Sequence, residues 1–254
     1  DSANATAVAV GLAGVTYGPG GGADESSQTL TYTINSIPSF VLLFKADGTT
    51  AIASGNTVSA GELQGLTYKT VADANGSANL TWTVADSGSS TPPNQNSLTE
   101  SLLITVNPVN DAPVRTAGTQ TPINVNEDSA TSVAVTLGLA GVTYGPGGGS
   151  DETSQTLTYT IGTIPSVVLL FKADGTTPVT AGASVSGAEL QGLTYKTVAD
   201  ASGSGNLTWT VTDSGSSTPP NQNSLTASLS ITVNAVNDAP PISPLPHQVI
   251  DQDQ

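Results

Sequence analysis

The residues of this sequence able to do chemistry are oxygen donors gathered at chain reversals. The segment Val106-Asn107-Pro108-Val109-Asn110-Asp111-Ala112-Pro113 leads through a polar run to Asn126-Glu127-Asp128-Ser129. Pro108 and Pro113 stiffen the backbone on either side of Asn110-Asp111. The same words return at Val233-Asn234-Ala235-Val236-Asn237-Asp238-Ala239-Pro240. Three further acidic positions recur. Asp24-Glu25 and Asp151-Glu152 follow glycine loops, Asp73 and Asp200 lie in Ala-Asp-Ala turns, and Asp86 and Asp213 precede Ser-Gly. Any single loop aspartate is explained as a turn former. Together they offer the 6–8 oxygens that Ca²⁺ takes, more than one loop usually supplies. The candidate ligands are therefore Asp24, Glu25, Asp73, Asp86, Asn110, Asp111, Glu127, Asp128, Asp151, Glu152, Asp200, Asp213, Asn237 and Asp238.

Other chemistry is poorly provided for. Cysteine is absent and the one histidine, His247, lies in the last few residues, so thiol, Ser-His-Asp and histidine-metal sites lack their parts. Carboxylate pairs could cut glycosides, but each repeat has one tryptophan, Trp82 or Trp209, and both stand at core spacing. No enzyme is expected. The loop Gly18-Pro19-Gly20-Gly21-Gly22 lacks the Gly-Lys-Ser/Thr ending of a phosphate cradle and adjoins two carboxylates. It is expected to let Asp24 and Glu25 swing toward a cation. Asp47 and Asp174 are explained by their Asp-Gly turns, and Glu62 and Glu189 are expected to be solvated. Glu100 becomes Ala227 in the second copy, so no shared mechanism uses it.

Twenty Asp or Glu against five Lys or Arg give a formal charge of −15, which repels nucleic acid and anionic lipid and invites cations. No apolar run approaches the ~20 residues of a membrane span. Thr, Ser, Gly, Ala and Val dominate, which suits strands and turns. An acidic, cysteine-free, Thr-rich chain fits a secreted bacterial protein, and its start at Asp1 suggests a piece of something longer.

The elements that must position these donors come twice. Gly14-Val15-Thr16-Tyr17-Gly18-Pro19 returns 127 positions later as Gly141 to Pro146, and the offset holds without a gap from Asp1/Asp128 to Pro113/Pro240. Roughly four positions in five are identical, as in an array of duplicated units. Within each copy, Val8 and Val10 (Val135, Leu137) open a strand. Leu30, Tyr32 and Ile34 (Leu157, Tyr159, Ile161) alternate with polar residues as a half-buried strand does. Val41 to Phe44 (Val168 to Phe171) reads as a fully buried strand running into an Asp-Gly hairpin turn. Glu62 to Leu66 fits one helical turn before a strand at Leu66 to Lys69. Leu80, Trp82 and Val84 (Leu207, Trp209, Val211) alternate again, and Leu102, Ile104 and Val106 (Leu229, Ile231, Val233) close the unit. About seven short strands without a long helix argue an all-β sandwich, twice over. The expected divisions are residues 1–113, whose first strand (the counterpart of Thr121 to Glu127) is missing, 114–240, and 241–254 as the start of a third, different domain that dangles or packs weakly.

Val-Asn-Asp-Ala-Pro at each unit's end, Asn-Glu-Asp-Ser near its start, and Leu-Thr-Tyr-Thr followed by Leu-Thr-Trp-Thr-Val-x-Asp-Ser-Gly resemble bacterial cadherin-like repeats. Such repeats occur in large calcium-dependent surface adhesins beside VCBS-type repeats. Pro244 to Val249 resembles the opening of a dystroglycan-type cadherin-like domain. The resemblance spans Asp1 to Pro240 and implies tandem Greek-key, Ig-like sandwiches set end to end, with Ca²⁺ where consecutive repeats meet. It implies that Asp151, Glu152 and Asp213 face Asp73, Asn110 and Asp111, and that Glu127, Asp200, Asn237 and Asp238 serve the lower end of the second unit. Departures are the Asp-Glu pair where Asp-x-Asp is usual, and the missing glutamate of unit one, so one or two ions are expected. The implied protein is a monomeric, extracellular spacer whose partners are neighbouring repeats of its own chain. A module binding surface glycans or a partner adhesin stays open beside it, with Tyr17 and Tyr144 as its best contacts.

Overall fold

The computed structural model describes residues 5–130, 132–240 and 252. The third segment expected at 241–254 lies, apart from Gln252, outside the described residues. The protein is all-β, and its two copies of the repeat build closely similar pairs of sheets.

In the first copy the strands are β1 (Val8–Ala9), β2 (Leu30–Ser36), β3 (Val41–Phe44), β4 (Ala51–Ile52), β5 (Thr57–Val58), β6 (Thr67–Thr70), β7 (Gly76–Asp86) and β8 (Ser97–Val106). One sheet runs β1-β6-β3-β4 and the other β5-β2-β7-β8, with every assigned pair antiparallel. Leu43 and Ile52 of the first sheet share one apolar cluster with Tyr32, Ile34, Val58, Leu80, Trp82 and Val84 of the second. That shared core makes the pair a sandwich. The alternation read at Leu30, Leu80 and Leu102 is therefore the inward face of one sheet. At Val41–Phe44 the expectation of a fully buried strand fails: Val41 and Leu43 are buried, but Leu42 is 52% exposed. This sheet has one solvated face, and its outer side carries Lys69 over the Phe44 ring, 5.2 Å from its centroid.

Local sequence fixes the connections. Asp47 closes the β3–β4 turn by accepting the Thr49 and Thr50 amides, both at 2.8 Å, while Gly48 adopts φ 68°. The helical turn expected near Glu62 is α1 (Ala60–Gln64). Glu62 is not simply solvated. Its carboxylate accepts the Ser59 amide at 2.8 Å, completing a capping box, and it receives Lys45 Nζ at 2.7 Å. Glu189 repeats this with Ser186 and Lys172 on α2 (Gly187–Gln191).

The second copy continues with β9 (Val114–Ala117), β10 (Ile123–Asn126), β11 (Val135–Thr136), β12 (Thr143–Gly145), β13 (Leu157–Ile161), β14 (Val168–Phe171), β15 (Pro178–Val179), β16 (Ser184–Val185), β17 (Thr194–Thr197), β18 (Gly203–Asp213) and β19 (Ser224–Asn234). Its sheets run β11-β17-β14-β15 and β10-β19-β18-β13-β16, with β9 and β12 forming a separate ribbon. The extra edge strand β10 lies parallel to β19, with Ile123 opposite Ile231 and Val125 opposite Val233. A 3-10 turn, Glu127–Ala130, follows it.

By contact density the chain divides into two compact units. Asp1–Val114 groups with Gly145–Leu157 and Thr212–Ser224, and the remainder forms the other. Two loops of the second copy thus belong with the first unit, for reasons that lie in the connector.

Each core is centred on its tryptophan. Trp209 is fully buried and donates Nε1–H to the Tyr144 hydroxyl at 3.1 Å; Tyr144 is itself 9% exposed and meets Tyr159 edge-on. Trp82 donates likewise to Tyr17 at 3.0 Å, but Tyr17 is only half-buried. Tyr144→Phe would strand a buried indole N–H and should cost about 1–3 kcal/mol. Tyr17→Phe should cost clearly less, because solvent stands closer to that pair. Parallel denaturant melts of the two variants check the order.

Candidate metal centre

The connector expected to carry ligands is locked in place by its own asparagine. Asn110 is buried, and its backbone N–H donates to Asn221 Oδ1 at 2.7 Å while its carbonyl accepts the Gln222 amide at 2.8 Å. Its side-chain NH₂ reaches Asp213 Oδ1 at 3.1 Å and the Gln222 carbonyl at 2.5 Å, and its Oδ1 accepts Gln155 Nε2 at 2.6 Å. Next to it the Asp111 amide donates to Glu152 Oε1 at 2.6 Å. All these residues lie within the first compact unit, and these bonds are why the two loops join it.

In the second copy the glycine loop allows close approach. A Cβ on Gly148 would lie 2.5 Å from Asp111 Oδ2 and 3.0 Å from Glu152 Oε2. One on Gly149 would lie 2.2 Å from the Asp73 carbonyl and 2.8 Å from Asp151 Oδ1. Successive turns, Glu152 N–H to Gly149 carbonyl and Gln155 N–H to Glu152 carbonyl, fix the segment that follows. Asp73 itself adopts φ 56°, a left-handed conformation that Asp tolerates better than most residues.

This arrangement leaves acceptors without donors. Asp213 Oδ1 is satisfied by the Gly215 amide at 2.7 Å and by Asn110, and Glu152 Oε1 by Asp111. The other oxygens, Asp213 Oδ2 and Glu152 Oε2, are buried without a hydrogen-bond partner, as is Gln155 Oε1. Glu152 and Asp213 are 2% and 4% exposed. Burial first, then the charges of Asp111, Asp151 and Asp213, push the Glu152 carboxyl above its ordinary value of 4.5, against the pull of the Asp111 amide. Orphaned buried carboxylate oxygens are costly unless a proton or a cation meets them. The donor set is all oxygen, which suits a hard divalent ion.

The remaining expected residues fall in two other places. Asp128, Asp200 and Asp238 offer carboxylate oxygens within 4.8 Å of one another, all three exposed. Partial desolvation, then the charges of Asp238, Glu127 and Asp200, raise the Asp128 carboxyl. Glu127 is buried beside them, but its Oε1 accepts the Val236 amide at 2.7 Å and its backbone carbonyl accepts the Thr197 hydroxyl. Asn237 is exposed and bonds only its neighbour's carbonyl among the hydrogen bonds described. Asp24, Glu25 and Asp86 line a polar recess of about 390 Å³ together with Gln28. The residues that sequence reasoning missed are the amides Gln155, Asn221 and Gln222. Their one signal was that Gln28, Asn94 and Gln95 repeat them 127 positions earlier.

No protein-family profile and no curated protein matches the chain. Among solved structures, the cadherin-like domains 1 to 4 of zebrafish RET align with 82% of this chain and 41% of their own, at 13% identity and a TM-score of 0.24. A similarity of that size carries nothing about function. Among the described residues no helix is long and apolar enough to cross a membrane.

A carboxyl held above its ordinary value lowers stability as pH rises. The folded state binds the proton more tightly than the unfolded chain, so stability falls as pH climbs from 4.5 through the raised value. In chelator, melting temperature should therefore drop as pH rises above about 4.5. Glu152→Gln should flatten that slope and stabilise the metal-free protein at neutral pH, as thermal melts over a pH series would show.

Proposed function

We propose that this chain is a pair of calcium-stiffened extender repeats from a large bacterial cell-surface adhesin, outside the cell, spacing a ligand-binding tip from the surface. The observation that carries this reading is the buried oxygen cluster around the connector. Asp213 Oδ2 and Glu152 Oε2 lack donors at the place where Asn110-Asp111 is clamped to two loops. Ca²⁺ there would be held by Glu152, Asp213 and Asp111, with Asp73 and Asp151 flanking through Gly149. Neutralising those charges would tighten the connector onto the loops of residues 145–157 and 212–224. Asp128, Asp200 and Asp238, with Glu127 and Asn237 beside them, form a second, more open candidate. Asp24, Glu25 and Asp86 form a third, at the counterpart of the connector's own seat. A duplicated, acidic, strand-built chain supplies reach.

The competing reading, a glycan- or partner-binding sandwich, needs an exposed aromatic face. Its best contacts, Tyr17 and Tyr144, are instead bonded to the core tryptophans. The spacer reading is therefore preferred.

Millimolar CaCl₂ should raise the melting temperature over that in EDTA. Saturation at 100-fold over Kd corresponds to about 2.7 kcal/mol. Asp213→Ala and Asp111→Ala should each remove most of the gain, and small-angle scattering should show a longer, better-defined particle with the ion. Identical melts and scattering curves with and without Ca²⁺ would leave the carboxylates as turn residues and surface charge.

A further inference from the structure

The connector engages one side-chain atom of each of three neighbours and leaves the other without a donor. Asp213 gives Oδ1 to the Asn110 NH₂ at 3.1 Å, and Glu152 gives Oε1 to the Asp111 amide at 2.6 Å. Gln155 donates from its NH₂ to Asn110 Oδ1 at 2.6 Å. The remaining oxygens, Asp213 Oδ2, Glu152 Oε2 and Gln155 Oε1, are buried without a hydrogen-bond partner. Two of them belong to carboxylates that are 4% and 2% exposed. The third is neutral.

The orientation of the Gln155 amide follows from its partners. The Asn110 NH₂ already faces two acceptors, Asp213 Oδ1 and the Gln222 carbonyl, so Asn110 Oδ1 must face a donor. The NH₂ end of Gln155 is that donor, which turns Gln155 Oε1 away from the asparagine. The turn that carries it, Gln155 N–H to the Glu152 carbonyl at 2.9 Å, recurs from Gln28 to Glu25 at 2.9 Å. Gln28 Oε1 is likewise buried without a partner. The placement therefore belongs to the repeat and not to one loop.

An uncharged oxygen has a particular use here. Ca²⁺ takes about 6–8 oxygens, amide carbonyls among them, whereas the smaller Mg²⁺ keeps a near-ideal octahedron and several waters. The charges of Asp111, Asp151 and Asp213 already bear on Glu152. A further carboxylate would deepen that repulsion, and an amide oxygen adds a ligand without it. We propose that Gln155 is a further ligand of the connector centre, its Oε1 supplying a neutral oxygen that favours Ca²⁺ over Mg²⁺. The inference rests on the calcium reading and adds to it a residue that selects the ion. The NH₂ of the same side chain positions Asn110, so its two ends have different tasks.

The test compares Gln155→Met, which removes both ends, with Gln155→Glu, which keeps an oxygen and removes the donor to Asn110. Melts in EDTA verify that each variant unfolds cooperatively. In calorimetric titration Gln155→Met should weaken Ca²⁺ binding about tenfold and Mg²⁺ binding clearly less. Europium(III) luminescence lifetimes in H₂O and D₂O are read on the component that Asp213→Ala abolishes. They should show about one more coordinated water in Gln155→Met and no more in Gln155→Glu. Equal losses of Ca²⁺ and Mg²⁺ with unchanged hydration in both variants would reduce Gln155 to a support for Asn110 and overturn the proposal. So would unchanged Ca²⁺ affinity in Gln155→Met while Asp213→Ala loses binding, a result that leaves the calcium reading standing. Absence of Ca²⁺ binding in the original chain would end both.

Discussion

Asn110 makes more hydrogen bonds than a surface turn residue can use, and the placement of everything near the connector follows from that. Its main chain and carboxamide together engage Asn221, Gln222, Gln155 and Asp213. A carboxamide can donate two N–H bonds, here to a carboxylate and a carbonyl, while its oxygen accepts from another amide. An aspartate there would oppose Asp213, and a hydrophobic residue would strand Gln155. With Asn110 in place, Asp111 must follow at a fixed distance, and its amide is delivered to Glu152. Proline on both sides lowers the entropy lost when the segment is fixed. The same lock brings carboxylates together faster than donors arrive to meet them, so the connector is firmly held yet electrostatically incomplete.

The glycines then acquire a reason that flexibility alone does not supply. At Gly148 and Gly149 any side chain would collide with Asp111, Glu152, Asp151 or the Asp73 carbonyl. At Gly215 a Cβ would lie 1.8 Å from Asn110 Oδ1. These positions are small because oxygens crowd around them. A crowded, donor-poor oxygen shell with two nearly inaccessible carboxylates is costly without a positive charge or a proton. The net charge of −15 adds to that cost.

Much of this was legible in the sequence because a repeat doubles every signal. The period-two runs at Leu30–Ile34 and Leu80–Val84 gave the inward faces, and Asp47-Gly48 gave its turn. Trp82 and Trp209 proved to be core residues, as their spacing indicated. What did not show was anything set by pairing across long sequence separations. Val41–Phe44 looked wholly buried because periodicity cannot see which sheet face is covered, and Leu42 sits on the open one. Glu62 looked solvated because its partner, Lys45, comes from the turn of another hairpin. At the connector, acidic letters announced themselves while Gln155 and Gln222 did not, since an amide at a turn carries no distinctive pattern. The family resemblance groups Asp200 with Asp238, but that Asp128 comes within reach of both was not legible, because the 3-10 turn that carries it had no sequence signal of its own.

Two copies of nearly one sequence also separate what local sequence dictates from what a neighbour dictates. α1 and α2 carry the same capping box, the Asp47 and Asp174 turns carry the same bonds, and both tryptophans find a tyrosine hydroxyl. These features are local or lie within one sandwich, and they do not change. Tyr144 is buried where Tyr17 is not, and Ile231 where Ile104 is not. Tyr144 has Gln120 bonded to its hydroxyl, and Ile231 has β10 alongside. Both of those neighbours come from the stretch between Val114 and Asn126, at the start of the second unit. That stretch therefore finishes the core as well as linking the copies. In the second copy the burial of Tyr144 and Ile231 is set by these neighbours rather than by their own local sequence.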